Sequence, residues 1–357
     1  MIEWKSVFSN KQFKENYIKT VEFSYPEWIP CSVSIFPAVW QKYREELRDI
    51  VADHPFLFGT WAKRRKNFDA IPKEHKPNTT WTDNWGCKWK VAQGGYEGQV
   101  VEPYPLGDWE NFDSYEFPDI NKYTERGTRN WLLERIGMWF MRQKKNILAT
   151  GGGGRLFDRL YFLRGFENLM KDFASENPNL TRLIEKFTTY KLDLVRKWLK
   201  MKVDLVTFHT DIGTQDRLMI SPSQFRKYIK PMFKEIFQEC RNAGAYVYLS
   251  SDGYLLDIVD DMVECGVSIH DPQERANTIE GIKKHYKGKI CIDLDLDRQF
   301  FPFAKPEGIK KQIKTAVQEL AMPEGGFMMK AEISDLNVPL ENIIAICDAL
   351  EENCFYN

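Results

Sequence analysis

From about residue 200 to the end of the chain, a short apolar run, a polar tip and an amphipathic segment recur several times. That alternation constrains the fold strongly, because buried strands separated by helices form a parallel sheet covered on its faces. The runs are VDLVTFHTD (203–211), AYVYLSSD (245–252), VSIHD (267–271), KICIDLD (289–295) and GFMMKAE (326–332). Between them lie SPSQFRKYIKPMFKEIFQECRNAG, YLLDIVDDMVECG, TIEGIKKHYKG and PEGIKKQIKTAVQELA, each with apolar residues at three- and four-residue spacing; three of the four end in glycine, the usual helix stop. CSVSIF (31–36) and NILATG (146–151) read as two earlier strands. The pattern predicts an α/β TIM (β/α)8 barrel, with the eighth strand expected between residues 40 and 140. A chain of 357 residues exceeds the ~250 such a barrel needs, so one large domain with an extra segment is expected.

That segment is 40–145, rich in Trp, Tyr, Asn and Pro, and it reads as an aromatic-rich N-terminal cap over one barrel mouth. GGGG (151–154) lacks the GK[ST] ending of a phosphate loop and is expected to be a flexible strand-to-helix connection. Residues 155–201 look like two or more helices broken near Asn177-Pro178.

Composition narrows the function. Fifty basic and 51 acidic side chains leave a formal charge of -1, so no global field attracts nucleic acid or an anionic membrane. No apolar stretch is long enough to span a bilayer and the start lacks a signal-peptide pattern, so a cytoplasmic location is expected. Seven scattered cysteines without a CxxC fit reduced thiols.

Ionisable residues gather where the strands should stop. His209 and Asp211, Asp252, His270 and Asp271, Asp293 with Asp295 and Asp297, and Glu332 each occupy the tip of a different run. In a parallel barrel these tips converge on the face where active sites are built. Carboxylates and imidazoles gathered there can exchange protons at tuned pKa values, or bind a metal through O and N ligands. Ser250 and Ser251 share one tip, but no GxSxG elbow accompanies them.

HTDIGTQDRLMISPSQFRKYIKPMFKEIF (209–237) resembles the D-x-G-T-Q…SP-x-x-F…P segment of the uroporphyrinogen decarboxylase superfamily, which also contains cobalamin-linked methyltransferases. DNWGCKWK (83–90), LRGFENLMKDF (163–173), IDLDLDRQ (292–299) and VPLENIIAICDAL (338–350) are similar to further stretches of it. The resemblance implies a TIM barrel with its site at the strand C-termini. Two departures refine it. The arginine-rich N-terminal motif that grips porphyrinogen carboxylates has no counterpart, and the His-x-Cys…Cys zinc ligands of the thiol-methylating branch are replaced at the corresponding positions by Ser250, Asp252 and Glu332.

The branch left by these departures takes a methyl group from a substrate and passes it to cob(I)alamin on a corrinoid protein; aryl methyl ether demethylases are similar to this sequence. The resemblance therefore implies a methyltransferase acting on a methoxylated aromatic or another methylated small molecule. Its partner would be a corrinoid protein and its cofactor cobalamin, reached through that partner. Related barrels often pair, so a homodimer is expected. His209, Asp211, Asp252 and His270 are the candidate catalytic residues, with Asp211 in an orienting or acid/base role. Asp252, Glu332 and His270 are the candidate ligands of a Zn2+, the alternative being that one of these groups is itself the acid. Trp85, Trp89, Gln273 and Asp297 are the candidate substrate contacts. The competing reading is a corrinoid-independent decarboxylase or lyase of the same superfamily acting on a small carboxylic acid.

Overall fold

The computed structural model describes residues 9–59, 67–70, 72, 74, 76–92 and 98–356. Its strands are β1 (Cys31–Ile35), β2 (Thr80–Thr82), β3 (Lys88–Lys90), β4 (Gln99–Val101), β5 (Thr150–Arg155), β6 (Leu205–His209), β7 (Tyr246–Ser250), β8 (Ile269–His270), β9 (Cys291–Asp295) and β10 (Phe327–Ile333). The chain divides into two compact units: one of Met1–Thr79, Val91–Glu97 and Asp271–Asn357, the other of Thr80–Lys90 and Gly98–His270.

In the first unit β1, β10 and β9 pair in parallel, with Cys31 opposite Met329 and Phe327 opposite Ile292. Apolar residues of β9 and β10 (Ile292, Leu294, Met329, Ala331) are buried, as are Ile309 and Ile313 from the helix Pro306–Leu320 and Ile343, Ile346 and Leu350 from the helix Leu340–Asn353. Those helical residues recur at three- and four-residue spacing, so each helix buries one stripe.

In the second unit β5, β6, β7 and β8 pair in parallel, which aligns Arg155, His209 and Ser250 at the strand C-termini. The segment after β5 forms the helices Phe157–Arg164, Phe166–Ser175 and Pro178–Leu199, the last capped by the Asn177 side chain, which accepts from Asn179 N at 3.0 Å. The break expected at Asn177-Pro178 is therefore a helix start, with proline in the first turn where its missing N–H costs nothing. Parallel strands alternating with helices make this a TIM-barrel-type α/β fold, and the seven strands read from sequence all occur.

Two expectations are corrected. The glycine run is strand β5 itself, not a flexible connection. A Cβ at Gly151 would sit 2.7 Å from the Trp198 ring and one at Gly153 would sit 2.2 Å from the Phe208 ring, so two bulky rings occupy the space these glycines leave. Among the described residues between 40 and 140, no strand joins a parallel set. The strands there, β2, β3 and β4, form an antiparallel meander in which Trp81 lies opposite Trp89, their rings stacked at 5.3 Å. The alternating sequences TWT and KWK bury one face only, which suits an antiparallel ribbon and not a barrel strand covered on both sides.

Candidate active site

Two loops meet at the C-terminal ends of β6 and β7. Thr210 N donates to Ser250 O at 2.8 Å and Tyr254 N donates to Thr214 O at 2.7 Å. The backbones approach so closely that a Cβ on Gly253, whose φ is +88°, would fall 2.5 Å from the Gly213 carbonyl carbon. Only glycine accepts both that conformation and that contact. The approach brings Asp211 beside Asp252, whose amide donates to Asp211 Oδ1 at 3.4 Å. Burial, followed by repulsion from the Asp158 and Asp252 carboxylates, pushes the Asp211 carboxyl up to about 6. The Asp252 amide and the Arg155 guanidinium oppose that shift without cancelling it.

A buried charge network stands behind this pair. Arg155 Nη1 donates to Asp158 Oδ2 at 2.6 Å, and Arg155 N donates to Glu125 Oε1 at 3.1 Å. Arg159 Nη1 donates to Asp83 Oδ2 at 2.7 Å and its Nη2 lies 3.3 Å from Glu125 Oε2. Asp83 also accepts from Trp85 N, Cys87 N and Trp89 Nε1 at 3.0, 2.8 and 3.0 Å, which explains the DNWGCKW stretch as a turn folded around one carboxylate. Lys191 donates to Gly153 O at 2.8 Å. Burial, and then the nearby Arg159 and Arg155 charges working against Glu125 and Asp158, lowers its ammonium to about 8.

The other unit carries its own cluster. Lys330 Nζ lies 2.5 Å from Asp271 Oδ2 and 3.9 Å from Asp295 Oδ2. Burial alone would lower this ammonium, but the attraction of Asp271, Asp295 and Asp293 outweighs it and raises the pKa. Glu332 is ion-paired with Arg298.

Of the catalytic residues read from sequence, Asp211, Asp252, His209 and His270 all sit at or just beyond strand C-termini of one unit. His209 and Asp252 are exposed, Asp211 is half-buried and His270 is fully buried. Gln273, Asp297 and Glu332 belong to the other unit. Gln273 bridges Asp295 through its backbone, while Asp297 accepts from Arg275 Nε at 2.9 Å and from Gln299 N at 3.1 Å, the contacts of a turn and an ion pair. Trp85 and Trp89 are each 2% exposed. Trp85 packs on Phe117, Phe187 and Tyr190, and Trp89 on Trp81 and Phe162, so core packing accounts for both rings.

The sequence reading missed Asp83, Glu125, Arg155, Asp158, Arg159 and Lys191. A signal existed in RLFDRL, where Arg155, Asp158 and Arg159 fall three and four residues apart at the mouth of a strand. Among the described residues, no group of three or more His, Cys, Asp or Glu side chains could hold a metal ion. Glu332 is engaged by Arg298. The residues present do not fit the Zn2+ site expected from sequence.

Comparison with known proteins follows the same lines. A methyltransferase from Methanosarcina mazei superposes with a TM-score of 0.63 at 15% identity, covering 97% of this chain and 99% of that one. A D-psicose 3-epimerase with D-tagatose from Clostridium cellulolyticum H10 aligns over 63% of this chain and 83% of that one, at 11% identity and a TM-score of 0.39. No curated protein matches the sequence. The first likeness shows a shared fold; the second is too distant to carry an argument. The sequence profile of uroporphyrinogen decarboxylase (URO-D) matches residues 79–353, most of the chain and all of the second unit's strands from β2 onward, and the chain belongs to that family.

Proposed function

We propose that this protein is a methyltransferase that demethylates a methoxylated aromatic, or another methylated small molecule, and passes the methyl group to a separate corrinoid protein. The observation that carries the reading is Asp211, a carboxyl at the strand C-termini whose pKa is raised to about 6, so that about half of it still holds its proton at pH 6. Membership of the URO-D family and a fold shared with a methyltransferase support it.

The corrinoid, held by its own protein, supplies the nucleophile that accepts the methyl group. What the substrate then needs is help for its leaving group, since a phenolate departs poorly from an ArO–CH3 bond. Asp211 donates its proton to the ether oxygen as the C–O bond breaks, so that a neutral phenol leaves. The Asp252 amide keeps the resulting carboxylate oriented through Oδ1, and Arg155 offsets its charge. No step is assigned to a metal.

The test is turnover of methoxylated phenols with reduced free cobalamin, following methylated cobalamin and released phenol together. Equal yields of both, lost in Asp211→Asn, support the reading. Decarboxylation of a small acid in the absence of cobalamin, with no methyl transfer from any donor, would replace it with the lyase reading, in which Asp211 protonates a carbanion.

A further inference from the structure

Arg155 closes β5 opposite His209, the last residue of β6, and the two segments stay joined beyond that level. Leu156 N donates to His209 O at 2.8 Å and Phe157 N donates to Thr210 Oγ1 at 3.1 Å. Neighbouring strands lie about 4.8 Å apart, so an arginine side chain at this level is long enough to reach the carboxylate of Asp211, the residue after Thr210. Such a pair would hold Asp211 ionised. Among the described residues, no ion pair joins the two.

The Arg155 guanidinium is engaged elsewhere. Its Nη1 donates to Asp158 Oδ2 at 2.6 Å, its Nε lies 3.8 Å from Glu125 Oε2, and its centre lies over the Phe162 ring, 5.5 Å from the centroid. Asp158 is fully buried and its Oδ1 has no hydrogen-bond partner among the described residues, so this carboxylate depends on Arg155. A buried carboxylate cannot replace a lost partner with water, whereas Asp211 is only half-buried. Asp158 therefore competes better for the guanidinium. The charges acting on Arg155 follow that order: burial lowers its pKa, while Asp158, then Glu125 and last Asp211 raise it above the usual value. The other titratable groups facing Asp158 or Asp211 are Arg159, Lys191, Tyr161 and Asp252.

We propose that Asp158 is a positioning residue: by holding Arg155, it keeps the guanidinium from pairing with Asp211 and so preserves the proton that Asp211 donates. The inference rests on the reading of Asp211 as the acid. Held by Asp158, Arg155 still offsets the charge that appears on Asp211 after the proton has left, without displacing the proton beforehand.

Titration of the Asp211 carboxyl tests this without substrate. In the full chain labelled with 13C at aspartate Cγ, the Asp211 resonance is the one missing from Asp211→Asn. Asp158→Asn keeps the side-chain shape and removes the charge, so Arg155 pairs with Asp211 and the midpoint falls from about 6 by about one pH unit or more. Turnover of a methoxylated phenol at pH 7 falls about tenfold with KM within about twofold, because only the protonated fraction of Asp211 changes. The charge-balanced double variant Asp158→Asn/Arg155→Gln brings the midpoint back to within about half a pH unit of the parent, since the guanidinium that paired with Asp211 is gone. A midpoint in Asp158→Asn that stays at that of the parent, or a double variant that titrates as low as the single one, overturns the proposal. The expected titrations in a protein that transfers no methyl group to cobalamin would support the positioning role and overturn only the methyl-transfer reading.

Discussion

The amide of Asp252 points at Asp211 Oδ1 across 3.4 Å, joining the loops after two adjacent strands. The contact exists because Gly213 and Gly253 let those loops touch backbone to backbone. Burial, with the repulsion of the Asp158 and Asp252 carboxylates added, raises the Asp211 carboxyl to about 6. An acid of that kind suits a reaction whose leaving group must be protonated.

That acid predicts a pH profile. If protonated Asp211 is the active form, turnover is flat below about pH 6 and falls up to tenfold per pH unit above it. Stability gives a second readout that needs no substrate. Folding raises this pKa, so the ionised form is the one the fold disfavours. The penalty is absent below about pH 4, grows to about pH 6 and is constant above, with an upper bound of about 3 kcal/mol that partial exposure reduces. Asp211→Asn should therefore raise the melting temperature by a few degrees at pH 8 and by little at pH 4.

The Asp83–Arg159 pair predicts a structural loss. Both side chains are buried, and Asp83 additionally holds two amides and the Trp89 indole. Asp83→Ala leaves the Arg159 charge with Glu125 as its remaining close carboxylate, at 3.3 Å. A loss of about 3–5 kcal/mol is expected in urea unfolding, the range for breaking a buried ion pair from one side. A loss below about 1 kcal/mol would show that Glu125 takes over.

The strands were legible because burial on both faces leaves uninterrupted apolar runs such as VDLVTF and KICID, and the tips were legible because charge appears where those runs stop. NILATG was placed several residues early. Its strand continues through GGGGR, and glycine has no side chain to register in a hydrophobic pattern; what it accommodates, the Trp198 and Phe208 rings, lies about 50 residues away in the chain. Asp211 and Asp252 could be read as neighbours because both follow strands of one parallel set. The Asp83, Glu125, Arg159 and Lys191 network could not, since its members come from a turn, a loop and two helices with no common period. For Trp85 and Trp89 the sequence left core packing and a substrate contact both open, because composition does not say which face of a ring is covered; both rings are buried.

Asp297 separates a turn residue from a substrate contact. Its Oδ1 accepts from Arg275 and Gln299, and the Arg275 side chain is largely exposed. Such a pair contributes at most about 1 kcal/mol, so Asp297→Asn should shift the urea midpoint only slightly and leave the KM for a methoxylated phenol within about twofold. A KM rise of tenfold with kcat retained would instead assign Asp297 to uniform substrate binding.

The glycines of β5 allow a matched comparison at neighbouring positions. A methyl group on Gly153 would penetrate the Phe208 ring, itself buried against Phe237 at 5.0 Å, whereas one on Gly152 meets nothing within 4 Å. Neither glycine has a positive φ, so backbone strain is equal and small for the two substitutions. Gly153→Ala should cost about 1–3 kcal/mol, as overpacking of a filled core does. Gly152→Ala should be neutral or stabilise by up to about 1 kcal/mol, because alanine narrows the unfolded ensemble. Denaturant midpoints of the two variants measure the difference directly. If the two proved equal, Phe208 would have room to move, and glycine would be required in β5 for a reason other than the packing of that ring.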